Sequence, residues 1–167
     1  MTLPKLKLVA LVLAVLVVLV DQLTKNIILQ MLPTEGMSRA ITSFFNLVLV
    51  YNRGISFGLF NHASVQDQPY IFVAIATAIC AVLLIWLFRT RSPLITAALG
   101  LVIGGAIGNM IDRIMVGAVI DFIDVYAIIN ATPYHWPAFN VADSAIVCGV
   151  GLLFIDSLAF DKKSPQE

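Results

Sequence analysis

Residues 70–88 carry no charged side chain, and that run is long enough for a helix to cross the roughly 30 Å hydrocarbon core of a bilayer. Inside lipid every backbone N–H and C=O must find its partner within the protein, so a lone run of this kind forms a helix. Pro69 suits its first turn, and Arg89 and Arg91 end it. A short link through Ser92 and Pro93 leads to a second uncharged run, 94–111, where Gly100, Gly104 and Gly108 recur every four residues. That spacing makes one smooth face for close packing on another helix. A further run covers 139–160, with Asp143 near its start and Asp156 near its end.

The first apolar run is shorter. Residues 8–20 follow Lys5 and Lys7, which is also how a secretory signal peptide reads. No small-x-small cleavage pattern comes after it; DQLTKNIILQML returns to apolar character past Asp21 and Lys25, so the helix is extended to about residue 29. Four spans, about 8–29, 70–88, 94–111 and 139–160, then make a single membrane domain of residues 1–167. Composition agrees, with 60% of residues hydrophobic and 12% charged, against about a quarter charged in a soluble domain. Ten basic and ten acidic residues cancel, leaving no polybasic face and no expected nucleic-acid partner.

Two connections separate the spans on one side. The first, about 30–69, contains SFFNLVLVYNRGISFGLF, rich in β-branched and aromatic residues and broken by the turn-prone pair Asn52 and Gly54. It reads as a small sheet or hairpin at the membrane surface. The second, about 112–138, contains VIDFIDVYAII and ATPYHWPAF, whose Tyr134 and Trp136 suit the headgroup level as interfacial anchors. Lys5, Lys7, Arg89, Arg91, Lys162 and Lys163 fall on the side of the termini, and Lys25, Arg39, Arg53 and Arg113 towards the other. Cytoplasmic ends carry the excess of Lys and Arg, so both termini are assigned to the cytoplasm.

Cys80 and Cys148 lie in apolar runs and read as small buried hydrophobes. His62 and His135 sit in polar connections with no zinc spacing, so neither a metal nor another cofactor is expected. Ionisable residues inside spans are costly and point to function. Asp21 and Lys25, four apart on one helix, can pair; the pair either neutralises itself structurally or supports a site. Asn109 and Arg113, again four apart in GGAIGNMIDR beside Asp112, form either a polar helix end at the interface or an inward pair holding a substrate backbone or a carboxylate. Asp143, in FNVADSAI, has no basic residue within a turn, and an unpaired carboxylate there tends towards protonation. Asp121, in VIDFIDV, is a second acid in an apolar setting. Two such acids sharing a proton would form an aspartic dyad. Asp124 is only three residues from Asp121 and could be mistaken for the catalyst.

DQLTK, YNRGISF, GGAIGNMIDR, VIDFI and FNVADSAI occur in the order and spacing of the bacterial lipoprotein signal peptidase family, also called signal peptidase II, which the chain resembles from Asp21 to Ile146. The resemblance implies an all-α polytopic membrane protein with four transmembrane helices and a small extracytoplasmic β-cradle around residues 44–60. It implies an aspartic endopeptidase of the bacterial inner membrane, active near the periplasmic face. Such an enzyme cleaves diacylglyceryl-modified prolipoproteins on the amino side of the lipidated cysteine, works among membrane lipids, and is blocked by cyclic peptides such as globomycin. The family's catalytic aspartates match Asp121 and Asp143, and its supporting residues match Asp21, Lys25, Asn52, Gly54, Asn109, Arg113 and Asn140, with Asp112 in the same stretch. Ile55 stands where alanine is common in the family. The rival reading, a small proton-coupled transporter or channel, would need acids through the full membrane depth and an internal repeat, and the sequence shows neither. The GxGD string of presenilin-type proteases is absent; the nearest string is GNMID.

Overall fold

A computed structural model describes residues 3–54 and 68–161. In chain order these form α1 (Leu3–Met31), β1 (Ser38–Ala40), β2 (Phe45–Asn52), α2 (Gln68–Arg89), α3 (Pro93–Val116), β3 (Val119–Ile129), β4 (Thr132–His135) and α4 (Val141–Asp161). All four helices are long and apolar enough to cross a membrane. Their outward faces are crowded with exposed large hydrophobics, Leu8, Val15, Val82, Phe88, Val147 and Phe154 among them, an arrangement suited to lipid and not to water. Ile55, His62, Lys162, Lys163 and the part of the expected cradle beyond residue 54 lie outside the described residues.

The first helix continues unbroken through Asp21 and Lys25, so the short run at 8–20 is one part of a 29-residue helix. The third begins with Ser92 as its N-cap, whose Oγ accepts from Ile95 N, and ends at Gly117, which adopts φ 75°. It thus passes the expected end at 111 and keeps Asp112 and Arg113 helical. This α3 is the most buried of the four and packs on α1, α2 and α4. Its glycine stripe faces α1: a Cβ at Gly100 would come within 2.7 Å of Ala10 O, and one at Gly104 within 2.7 Å of Ala14 O. Around that seam Ala10, Ala14, Leu87, Leu99 and Ile103 form the core of the bundle.

The all-α label needs correction, because the connections build a four-stranded antiparallel sheet in the order β1-β2-β3-β4. The first connection supplies β1 and β2, as its β-branched composition predicts, and β2 ends at the Asn52 turn. The second, read from its aromatics as interfacial anchors, supplies the longest strand, β3, with 11 residues. Leu49 of β2 and Ile120 and Phe122 of β3 bury against Ile28 and Leu32 at the end of α1 in a second core. That core seats the sheet on the end of the bundle where α3 stops and α4 starts. A second correction concerns Cys148, which is exposed whereas Cys80 is buried. An apolar run in a membrane helix has a lipid-facing side, so apolarity alone does not imply burial.

Candidate active site

At the sheet end of the bundle Lys25 lies between two carboxylates, 2.7 Å from Asp21 Oδ2 and 2.6 Å from Asp112 Oδ2, with all three side chains at most 2% exposed. Charges this deep need partners for every polar atom, and each carboxylate also accepts from one backbone N–H. Asp21 Oδ1 accepts from Ala142 N (2.9 Å), in the first turn of α4. Asp112 Oδ2 accepts from Ile120 N (3.0 Å) in β3, and its Oδ1 accepts from Gln22 Nε2 (2.8 Å). The two arms of the cluster therefore hold the residues immediately preceding Asp143 and Asp121. Gly108 makes room, since a Cβ there would stand 2.7 Å from Asp21 Oδ2.

Asn140 joins the two acids. Its Nδ2 donates to Asp121 Oδ1 (2.7 Å) and its backbone N to Asp143 Oδ2 (3.2 Å), while its own Oδ1 accepts from Asp143 N (2.8 Å). The reciprocal bonds between Asn140 and Asp143 have the form of a capping box, with an Asn cap and an acid three residues on. Folding the N-terminus of α4 thus fixes the Asp143 carboxyl. Asn109 Nδ2 donates to Asp143 Oδ1 (2.7 Å), and its Oδ1 accepts from Lys25 Nζ and from Asn140 Nδ2, both at 3.2 Å. The open alternatives for Asn109 resolve: it turns inward and holds a carboxylate.

Across the sheet, Asn52 Nδ2 donates to Asp121 Oδ2 (2.9 Å), and Asn52 Oδ1 accepts from Gly54 N (3.0 Å) in a side-chain turn that aims the amide. Gly54 adopts φ 98°, and a Cβ there would meet the Phe72 ring at 2.5 Å. The Phe72 ring also lies under the Arg113 guanidinium, 5.3 Å from the ring centroid. Arg113 Nη1 donates to Asn109 O (3.2 Å), and its charge faces Asp143, Asp112 and Asp121. Burial pushes Asp121 up from the ordinary 3.8 to about 6, with the Asn52 amide pulling the other way and the Asp143 charge adding to the rise. Among the described residues no buried side-chain nitrogen or oxygen lacks a hydrogen-bond partner.

Asp124 lies apart. Side chains alternate along a strand, so three residues beyond Asp121 it emerges on the opposite face of β3; there it bonds to Asn46 and His135. A groove of about 480 Å³ opens beside Asp143, walled by Trp136, Phe139, Ser144, Val147 and Cys148. Gln22 and Phe72 belong to the site without having been singled out in the sequence. DQLTK contains the first, and nothing marks the second inside an uncharged run.

The model of the family described as "Signal peptidase (SPase) II" matches residues 13–159, which include every residue just placed around Asp121 and Asp143. The chain belongs to the signal peptidase II family. A lipoprotein signal peptidase of Syntrophotalea carbinolica is 45% identical over 150 residues, 88% of this chain and 89% of that protein. One from Ralstonia nicotianae is 47% identical over 148 residues, 87% of this chain and 82% of the relative. A bacterial membrane enzyme solved by the in meso method at 2.3 Å resolution has the same fold, with TM-score 0.78, 31% identity, and 95% of this chain and 93% of that one covered. A second, at 1.9 Å, gives TM-score 0.76 at 32% identity over 90% and 92% of the two chains. Membership of signal peptidase II makes the chain a peptidase, and its helices make it a multi-pass membrane protein. The transporter reading is not favoured.

Proposed function

We propose that this signal peptidase II chain hydrolyses diacylglyceryl-modified prolipoproteins on the amino side of the lipidated cysteine, using Asp121 and Asp143 as an aspartic dyad. The observation that carries the reading is Asn140, one residue bonded to both carboxyls, of which Asp143 lines an apolar groove. Such a groove suits a lipid-bearing substrate, whereas a proton route would spread its acids through the bilayer. Two close carboxyls resist double ionisation and hold one proton between them. In the proposed roles Asp121, the more deeply buried of the two, holds that proton and Asp143 acts as the base.

In this mechanism Asp143 takes a proton from water as the water oxygen bonds to the scissile carbonyl carbon, and Asp121 donates its proton to the developing oxyanion. Collapse of the tetrahedral intermediate breaks the C–N bond. The leaving amine takes a proton from Asp143, and the oxyanion proton returns to Asp121. No covalent intermediate forms. Arg113 and Asn140 orient and tune the pair, and Asp21, Lys25, Asp112 and Asn109 hold it in place. The proposed setting is the bacterial inner membrane, with both termini cytoplasmic and the dyad near the periplasmic face. Cyclic peptides such as globomycin would occupy the groove.

Asp121→Asn and Asp143→Asn should each abolish processing of a lipidated precursor while the purified protein stays folded and still binds an inhibitory cyclic peptide. Turnover retained in either variant removes the dyad. Unlipidated precursor should resist the wild-type enzyme, and equal cleavage of both forms would exclude a lipid-dependent substrate.

A further inference from the structure

We propose that Asp124 and His135 form a clasp that positions the wall of the substrate groove, acting through β4 on substrate binding while leaving the dyad's chemistry alone. The inference rests on the peptidase reading above.

It starts from a strand with little to hold it. All four residues of β4 are exposed, so the strand adds nothing to either core. It pairs with β3 over only four positions, Tyr126–Ile129 against Thr132–His135, across a turn whose Asn130 and Ala131 adopt φ 50° and 62°. Yet β4 runs directly into Trp136, Pro137, Ala138 and Phe139, which form one side of the groove, and then into Asn140 between the two acids. A shift of β4 would carry the groove wall with it.

Asp124 is a buried carboxyl, 6% exposed, that the proposed mechanism does not use. Its Oδ2 accepts from Asn46 Nδ2 (2.8 Å) on β2, and its Oδ1 accepts from His135 Nδ1 (2.7 Å) at the end of β4. One carboxyl on the third strand therefore ties the second to the fourth. The imidazole is further seated by stacking on Tyr126, with centroids 4.9 Å apart, and Trp136 N donates to Val125 O (2.8 Å) one residue on. Beyond that point Phe139 and Ile123 exchange backbone hydrogen bonds, so the groove wall is anchored at both ends and the clasp is the side-chain anchor at its outer end.

Because Asp124 and Asp121 emerge on opposite faces of β3, losing the clasp should disturb where the substrate lies and spare the proton inventory of the dyad. Steady-state cleavage of a lipidated precursor by the full chain in proteoliposomes tests this. His135→Ala and Asp124→Ala should each raise KM about tenfold with kcat within twofold of wild type, and the double variant should be no worse than either single one. His135→Asn, whose amide can place a donor where Nδ1 stands, should restore KM to within threefold. An unchanged KM in His135→Ala, a fall in kcat at constant KM, or multiplicative losses in the double variant would each overturn the clasp. Should Asp124→Ala fail to fold, the half-exposed His135 carries the test alone through its Ala and Asn variants. Failure of the wild-type enzyme to cleave the precursor would instead overturn the peptidase reading.

Discussion

Asp121 shows how one side chain can be costly to the fold and useful to the site. Its carboxyl sits at about 6 instead of 3.8, so the folded state holds the proton more tightly than the unfolded one. The sign follows directly: ionised Asp121 penalises folding above about pH 6, and the penalty disappears as pH falls below 4. A rise of about 2 units corresponds to at most about 3 kcal/mol, reduced by about 1 kcal/mol for the hydrogen bond that an Asn side chain could not accept. The Asp121→Asn variant should therefore unfold later than wild type at pH 8, and the gain should vanish by pH 4. Thermal unfolding in detergent across that range measures it, and a variant less stable at both ends would refute the burial argument. Lys25 is the opposite case. Its charge neutralises one of two buried carboxylates; Asp21 and Asp112 in turn fasten α4 and β3, and Lys25 reaches Asn109 on α3.

Elements carry the next layer. The seam between α1 and α3 rests on glycines whose missing Cβ atoms let two backbones approach, and lipid offers no hydrophobic drive to replace that packing. Gly104→Ala would thrust a methyl group to 2.7 Å from Ala14 O and 2.9 Å from Val17 Cβ, and a loss of about 1–3 kcal/mol is expected from such overpacking. Gly151→Ala in α4 meets nothing within 4 Å, so it should be neutral or stabilising by up to about 1 kcal/mol through helix propensity. Unfolding midpoints of the two variants in one detergent provide the comparison, and equal midpoints would mean that the seam tolerates a methyl group. This glycine face was legible in the sequence because its spacing of four matches a helix turn. The pair Asp21 and Lys25 was legible for the same reason, but its third member, Asp112, was not paired with it, since nothing in a single chain says which turns of α1 and α3 adjoin. β3 was hidden for a different reason. VIDFIDVYAII is apolar on both faces at its start, so the alternation that marks a half-buried strand is blurred by burial against α1 on one side and the site on the other.

At the scale of the whole molecule, the buried acids of the proposed site and the basic flanks of the spans lie at opposite ends. Lys5, Lys7, Arg89 and Arg91 gather where Lys7 Nζ donates to Thr90 O and Ser92 Oγ donates to Asp156, binding α1, the α2–α3 link and α4 together. The sheet end holds Asp21, Asp112, Asp121, Asp124 and Asp143, and of its cations Lys25 is buried in the carboxylate cluster while Arg53 pairs with Glu35. Arg39 on β1 is exposed at the sheet end as well, so the basic excess at the other end, Lys5, Lys7, Arg89 and Arg91, is a bias and not a clean division, and under the proposed topology the preference of Lys and Arg for the cytoplasm puts that end inside. With both cysteines replaced by alanine, Arg39→Cys on β1 should react with a membrane-impermeant maleimide in spheroplasts, and Arg91→Cys should react only after the membrane is broken. Both positions are exposed, so a failure to label reports the bilayer and not the fold. The reverse pattern would turn the molecule over and put the dyad at the cytoplasmic face, where a precursor whose lipidated cysteine had already crossed the membrane could not reach it.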